Sequence, residues 1–502
     1  MESTDVVIAG GGPTGLMLAC ELRLAGVGVV VVDGLPARTG ESRAGGIHAR
    51  TMEILDQRRL LDCLLAQGRP LQAGHFAGLP LDFSDFDTRH PYLLAVLQSV
   101  IERELDSRAT ELDAPVRWGA PVVGLRQDGA GVTVTVGGPE GTRDLRASYL
   151  VGCDGARSAV RKLSGIGFAG TDATMSGMIA DVELADPPAE PFFAHRRGAG
   201  DFSAVQFQPG WYRLVVQRHD LVLERGTELT FDDFRGHFTE IAGTDFGMHS
   251  PRWVSHYGDA ARQADRYRDG RVLLAGDAAH IHYPAGGQGL NLGVQDAANL
   301  GWKLAAAVRG DAPDGLLDTY ESERHPVAAR VLHNTRAQTS LSRSGPHTDA
   351  LRDIVGDLIG MDEVRHRLGL MITALDLRYD TAGDHPLAGR RVPDADLGTA
   401  DGDTRVCELL RAGRPILLSL NGNRVPAVPQ WGDRLDLVAA RTRDDHWAVP
   451  GVGKIPVPAA VLIRPDGYTA WVTAQPGTDG LTEALTTWLG PASALVPASG
   501  AV

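Results

Sequence analysis

Three glycines near the amino terminus have the spacing of a phosphate cradle. Gly10, Gly12 and Gly15 stand at G-x-G-x-x-G in Gly10-Gly11-Gly12-Pro13-Thr14-Gly15, directly after the apolar run Asp5 to Ala9. In a dinucleotide site the first glycine permits the tight turn. The second lets the backbone approach a pyrophosphate, and the third lets helix and strand pack closely. Leu16, Leu18, Ala19 and Leu22 supply a helical apolar face, so the helix N-terminus, with its unpaired N–H groups, faces the phosphates. A second strand, Val29 to Val32, ends in Asp33, an acid placed to accept a ribose hydroxyl. Glycine triplets also make ordinary turns, but here strand, helix and acid all occupy the positions the motif requires. The motif leaves open whether the dinucleotide is FAD or NAD(P).

Two later segments have the same strand-then-turn design. Tyr149 to Cys153 reads as a strand ending in Asp154-Gly155, with Arg157-Ser158 before a helix. Arg271 to Ala275 reads as a buried strand ending in Gly276-Asp277-Ala278-Ala279-His280. A loop follows, Pro284-Ala285-Gly286-Gly287-Gln288-Gly289, then a helix with Leu290, Leu292, Val294, Ala297, Leu300, Trp302 and Leu304. Arg43, in Glu41-Ser42-Arg43-Ala44-Gly45-Gly46, places a cation in a glycine loop beside the first unit; the plainer reading is a solvated surface arginine.

These residues need a large scaffold. At 502 residues, 43% of them hydrophobic, the chain predicts two or three domains. The net charge of −14 argues against nucleic acid or an anionic membrane as partner. The N-terminus has acids and no basic region, and its apolar run is broken by glycines, which excludes a signal peptide. No window approaches a bilayer span. Cys20, Cys63, Cys153 and Cys407 show no C-x-x-C or metal spacing; Cys20 and Cys153 read as small buried residues. No metal is expected, and a cytoplasmic, reducing compartment fits. The 61 glycines and 29 prolines mark tight turns between periodic apolar segments.

The expected fold class is α/β. A helix carries Met52, Ile54, Leu55, Leu60 and Leu61, and Gly74 to Pro91, with Phe76, Phe83 and Phe86, reads as strands of another layer. Leu93 to Gln98 leads into a helix over Ser99 to Leu112, and Val122 to Val136 alternates around the hairpin signal Asp128-Gly129. From about Thr171 to Asp265 the pattern becomes alternating strands (Met178 to Leu184, Ser203 to Phe207, Trp211 to Gln217) with one helix near Phe231 to Ile241. This predicts an antiparallel sheet inserted in the dinucleotide domain. Leu351, Ile354, Val355, Leu358 and Ile359 have amphipathic helix spacing. After His385-Pro386-Leu387, strands at Ile416 to Leu420, Leu435 to Ala439, Val461 to Ile463 and Tyr468 to Val472 and a helix Leu481 to Leu489 predict a small α/β domain. The expected division is 1–73, 99–170 and 266–385 for the nucleotide domain, 74–98 and 171–265 for a middle domain, and 386–502 for the tail.

The order and spacing of the three glycine-acid segments resemble the single-component FAD aromatic hydroxylases, the group A flavoprotein monooxygenases. Glu41-Ser42-Arg43, Gly74-His75-Phe76-x-Gly78-Leu79-Pro80, Gln263 and His280-Ile281-His282 resemble the bacterial angucycline polyketide hydroxylases more closely. Rifampicin monooxygenases share much of the pattern. The resemblance implies FAD as cofactor, NADPH as co-substrate, a Rossmann-like FAD domain, a middle domain that holds the substrate, and a thioredoxin-like tail without a redox cysteine pair. It places Thr14, Arg43, Gln98 and the Val123 backbone on pyrophosphate, ribityl and adenine. Asp154 belongs to a motif used for both FAD and NADPH, and the carboxylate of Asp277 accepts ribityl hydroxyls. Gly289, Leu290 and Asn291 open a helix whose positive end meets the flavin N1/C2=O edge, which is anionic when reduced. Gly276 shapes the turn before Asp277, and Pro284 with the glycines after it, Gly287 included, leaves room for dioxygen. Pro284, Gly287 and Arg43 are therefore the expected catalytic positions. No second strand–G-x-G-x-x-G–helix unit is read, so the nicotinamide binds transiently at the surface of the first site.

The implied reaction is hydroxylation of an aromatic polyketide through a C4a-hydroperoxyflavin, in antibiotic biosynthesis, with the cofactor doing the hard chemistry. A polycyclic phenol is acidic enough to need little help, and the sequence offers no obvious base. Candidates for an apolar pocket are Phe76, Phe83, Phe207 and Trp211, each equally placed for a core; His256, Tyr257 and His282 lie near motif segments, with a surface or core role the plainer reading. Three alternatives stay open: a Baeyer–Villiger oxygenase, a rifamycin-inactivating hydroxylase, and a non-catalytic polyketide-binding protein. A monomer or homodimer is expected.

Overall fold

The structure, a computed structural model, describes residues 2–492 apart from 191, 225, 382 and 424. Val6 to Ala9 and Val30 to Val32 are buried runs of β-branched and small residues, the pattern of central parallel strands. The strand Glu2–Ala9 pairs in parallel with Val29–Val32 on one side and with Arg143–Gly152 on the other. Arg143–Gly152 in turn pairs in parallel with Val272–Leu274. Val116–Arg117 and Arg268–Asp269 form the ends of this row; Val132–Val136 branches antiparallel from Arg143–Gly152, and Val122–Gln127 pairs antiparallel with Val132–Val136. Register positions the chemistry. Ala9 lies opposite both Val32 and Gly152, and Gly152 lies opposite Leu274. The three glycine-acid turns therefore leave the sheet side by side at its carboxyl edge, where open α/β sheets bind ligands.

Two helices cover this edge at backbone distance. Pro13–Leu24 begins with Pro13 in its first turn, where no N–H is needed. It crosses the long helix Gln288–Arg309 through small residues. A Cβ on Gly293 would stand 2.3 Å from Thr14 Oγ1, and one on Gly301 2.4 Å from Glu21 Cβ.

Facing this edge is a five-stranded antiparallel sheet in the order Phe192–Arg197, Gly200–Gln208, Trp211–Arg218, Ser176–Leu184 and Met248–Gly258. Alternation divides its faces. Met178, Ala180, Val182, Phe202, Leu214 and Val216 pack on Phe234, Phe238 and Ile241 of the helix Phe231–Ala242. Gly177, Ile179, Asp181, Arg213, Gln217 and Tyr257 occupy the other face, toward the nucleotide sheet. The hairpin Ala73–Phe76/Leu79–Asp82 closes one end. Its Phe76 and Leu81 join Phe83, Phe86, Ile372 and Leu375 in an apolar cluster.

The tail sheet runs Gly402–Arg405, Asp396–Thr399, Asp436–Thr442, Ile416–Leu420, Ala460–Ile463, Thr469–Thr473, with one parallel pair and a helix, Leu481–Leu489, packed through Leu481, Leu485 and Trp488. A buried ionic network joins it to the rest. Arg464 holds Glu323 and Asp466; Glu323 also receives Lys303 and Asn299.

The helix expected over Met52 to Leu61 is two, Ala49–Asp56 and Leu61–Leu65, because Arg59 turns left-handed at φ 60° between them. In the Phe-rich segment only the hairpin forms strands; residues 83–91 do not. The helix Pro346–Ile359 is present, but Leu351, Ile354 and Leu358 on its apolar stripe are exposed. All four cysteines are free. Cys20 is buried and its thiol is pushed up to about 12, while Cys153 is half-buried and Cys63 exposed. Among the described residues no helix is long and apolar enough to cross a membrane.

Candidate active site

The crevice between the two sheets is built from its glycines. Gly10 is held at φ 112° under a main-chain carbonyl: a Cβ there would lie 2.2 Å from Cys153 O. Gly15 would strike Gly10 O at 2.0 Å, so neither position admits a side chain. Gly12, by contrast, has nothing within 4 Å where its Cβ would be. Open space in front of a helix N-terminus is what a pyrophosphate requires. Asp33 braces the same turn, taking Gly11 N–H at 2.7 Å and Leu35 N–H at 2.8 Å. Val123 lies on the edge strand beyond, exposed, next to Pro121, which packs on Gly34.

Asp154 spends one oxygen as a cap, accepting Ala159 N–H at 2.7 Å and Val160 N–H at 3.1 Å. Its Oδ1 is buried without a partner among the described residues. Arg161, stacked on Phe168, fastens this turn to the next by donating to Ala278 O at 2.7 Å. Gly276, at φ 61°, would meet Thr14 Oγ1 at 2.6 Å with any Cβ, so Thr14 seats the Gly276-Asp277 turn. Asp277 points into the crevice. Solvent reaches it, no hydrogen bond from the described residues satisfies it, and the surrounding protein raises its pKa. Behind it Asp296, with no exposed surface, gathers Gly276 N–H at 3.1 Å, His280 Nε2 at 2.7 Å and Arg324 Nε at 2.8 Å.

The loop after Pro284 adopts two consecutive left-handed residues, Gly286 at φ 67° and Gly287 at φ 65°, which only glycine takes readily. Pro284 is exposed to the crevice and accepts Gly287 N–H at 3.0 Å. The helix then starts at Gln288 with no side-chain cap. The first-turn amides, those of Gly289 and Leu290 among them, have no intrahelical acceptor and carry the positive end of the dipole, whereas Asn291, one residue on, makes the first intrahelical bond to Gly287 O. The Asn291 side chain turns away from the crevice. It accepts His48 N–H at 2.8 Å and donates to Gly287 O at 2.8 Å and Gly46 O at 3.3 Å. His48 Nε2 donates to Gly286 O at 2.6 Å, and burial lowers its pKa to about 4, so the ring is neutral.

Arg43 spans the crevice, donating to Glu41 at 3.1 Å and Ser255 Oγ at 3.2 Å, and its charge acts on Asp277. Gln98 pins its loop: Oε1 accepts Ala44 N–H at 3.0 Å while Nε2 donates to Glu102 at 2.8 Å. Both ends of that side chain are engaged by protein.

The substrate candidates separate. Tyr257 lies flat over Gly177, whose Cβ would stand 2.3 Å from the ring, and so faces the crevice. Its phenol shares Gln217 with Tyr283. Phe207 rests on Gly45 beneath the Arg213 guanidinium, 5.0 Å away, at the crevice edge. Trp211 lies on the same face but at the far end of its strand, covered by Arg252 at 3.5 Å. Three candidates, His256, Phe83 and Phe76, are corrected, and His282 has the core role that was its plainer reading. His256 sits opposite Met178, on the helix side of the sheet, with Nε2 at 3.1 Å from Thr227 O. Phe83 is fully buried between Gly74 and Gly369, and Phe76 belongs to the same cluster; both are core. His282 donates Nδ1–H to Tyr283 O at 2.7 Å, and its Nε2 is sealed from solvent.

Sequence reading missed His48 and the pair Arg213–Asp181, and marked His75 only as part of the Gly74–Pro80 motif, with no role. That ion pair is buried, at 2.8 and 2.9 Å, and Arg213 also donates to Arg43 O and Ala44 O at 3.3 Å, tying the inserted sheet to the Arg43 loop. Isolated histidines and arginines carry no spacing signal; Arg213 alone was findable, as a charge inside an alternating strand.

Known proteins show the same plan. Residues 3–335 match the FAD binding domain family, and residues 385–492 match the aromatic-ring hydroxylase C-terminal domain. The chain is 50% identical over 503 residues to a 12-dehydrotetracycline 5-monooxygenase/anhydrotetracycline 6-monooxygenase of Streptomyces rimosus, covering 97% of this chain and 99% of that one. It is 45% identical over 495 residues to a rifampicin monooxygenase of Streptomyces venezuelae, covering 98% and 99%. The crystal structure of CabE, an aromatic hydroxylase from angucycline biosynthesis, superposes with a TM-score of 0.89 at 43% identity, covering 97% and 99%.

Proposed function

The chain belongs to the FAD-binding aromatic-ring hydroxylases, and from that we propose that it is a monooxygenase of aromatic polyketides in antibiotic biosynthesis, using NADPH and O2. The observation that supports this most is the crevice itself. Three glycine turns and an uncapped helix N-terminus converge there on Asp277, opposite the Tyr257 face of the inserted sheet. Bound FAD supplies the electron transfer from NADPH and the activation of O2.

The protein does the rest. Gly10, Gly12, Gly15 and Thr14 shape the pyrophosphate seat, and Asp33 with the Val123 backbone borders the adenosine end. Asp154 Oδ1 and Asp277 offer acceptors for hydroxyls along the dinucleotide. Gly276 aims Asp277. The free main-chain amides of Gly289 and Leu290, at the positive end of the helix to which Asn291 belongs, would stabilise negative charge on the ring edge of bound FAD. Gly286 and Gly287 would keep the space beside that edge free of side chains, Pro284 would border it, and Arg43 bridges to the substrate side. The polycyclic substrate lies against Tyr257 and Phe207, where protein replaces water around the reacting carbon. NADPH visits from the surface, since the described structure holds one dinucleotide fold. We assign residues 1–73, 99–170 and 266–385 to FAD, 74–98 and 171–265 to substrate, and 386–502 to a supporting domain, in a cytoplasmic monomer or homodimer.

The test is NADPH consumption by the FAD-loaded protein with anhydrotetracycline, an angucyclinone and rifampicin. Polyketide-stimulated oxidation giving a ring-hydroxylated product by NMR is expected. Stimulation by rifampicin alone would favour the drug-inactivating reading, and an inserted ester oxygen the Baeyer–Villiger one. Tight binding without NADPH oxidation would overturn catalysis altogether.

A further inference from the structure

We propose that His75 is a substrate-binding residue whose Nε2–H meets the ionised oxygen of the phenol or enol ring being oxidised. This rests on the polyketide reading above. Strand alternation places the side chain. Gly74 packs on Phe83 and Phe76 joins the apolar cluster, so His75, between them, emerges on the opposite face of the hairpin. That hairpin packs on the Ala285–Gly287 turn. The imidazole feels Asp201, and His48 beneath the turn feels the imidazole. Asp201 pairs with Gln217, on the Tyr257 face of the inserted sheet. These neighbours put His75 in the crevice between the two layers, open to solvent yet enclosed by protein.

Its tautomer is set by the hairpin. Gly78 N–H donates to Nδ1 at 3.3 Å, which leaves the proton on Nε2. No described residue accepts from Nε2. Enclosure lowers the pKa of the ring, so it is a neutral donor. A neutral N–H suits this chemistry better than a cation. It stabilises the oxyanion by a charge-assisted hydrogen bond without returning the proton, and the ring carbon keeps its electron density.

The test uses the FAD-loaded full chain with anhydrotetracycline, following binding by fluorescence and ligand ionisation by its absorption band. Wild type is expected to bind the ligand with its phenol pKa below that in water. His75→Ala should weaken binding by about tenfold and raise the bound ligand's pKa by about one unit, with FAD content and Tm unchanged. His75→Gln, which keeps an N–H at similar reach, should recover most of both. Wild-type binding with unaltered ionisation and affinity in His75→Ala would overturn the assignment, as would His75→Gln behaving like His75→Ala. A wild type that takes up FAD but no ligand would instead overturn the polyketide reading, and the role of His75 with it.

Discussion

Asp277 and His48 show how single groups are held in unusual states at this site. Asp277 is a carboxylate with no hydrogen-bond partner among the described residues, in a crevice that disfavours its charge. Hydroxyl donors from FAD would relieve that cost, so Asp277→Ala should lower FAD affinity by at least about tenfold, read by flavin titration. His48 is the reverse case. Its Nε2–H is spent on Gly286 O, and a second proton would go to Nδ1, which is buried with no acceptor among the described residues. The folded pKa of about 4 lies below the ordinary 6.5. The unfolded chain therefore binds more protons between these values, and stability falls as pH drops from 6.5 toward 4 and then levels off for this group. Each unit of depression is worth about 1.4 kcal/mol. Thermal melts from pH 7 to 4.5 should show a shallower decline in His48→Asn than in wild type. Nothing in the sequence marked His48, because its partners, Gly286 and Asn291, come from a remote segment.

The elements carry the next level of control. The long helix is set against the first one by Gly293 under Thr14. Gly293→Ala should cost about 2 kcal/mol or more through overpacking and loosen FAD, and adding Thr14→Ala should recover much of the Tm. Asn291 is a second fastening, joining the helix start to His48 and Gly46. Its replacement by Ala leaves buried groups unpaired, a loss of about 2 kcal/mol by denaturant titration. At this scale the glycine turns were legible, because glycine spacing reports backbone geometry directly. Strand faces were not: His256 and Tyr257 are neighbours in sequence, and only register with Met178 and Gly177 says which one enters the crevice. The helix at Leu351 makes the same point. Its period gave the helix, but a period does not say what covers the stripe.

Across the whole molecule the tail is bound to the FAD domain through charge as well as packing. Glu323, Lys303, Arg464 and Asp466 are all nearly without exposed surface, and the two cations hold the Glu323 carboxylate well below its usual range. Removing one member strands the others, so Glu323→Ala should destabilise the full chain by about 3–5 kcal/mol, with FAD lost in the same thermal transition. The sequence foretold the tail sheet by its apolar strands but not this seam, whose partners lie far apart along the chain.

Hydrogen exchange of the full chain with and without FAD tests the central claim most directly. The account predicts slowed exchange at Gly10–Gly15, at Gly276–Asp277 and at the amides of Gly287–Asn291, with the tail unchanged. Protection elsewhere, with those three turns exchanging as freely as before, would contradict it.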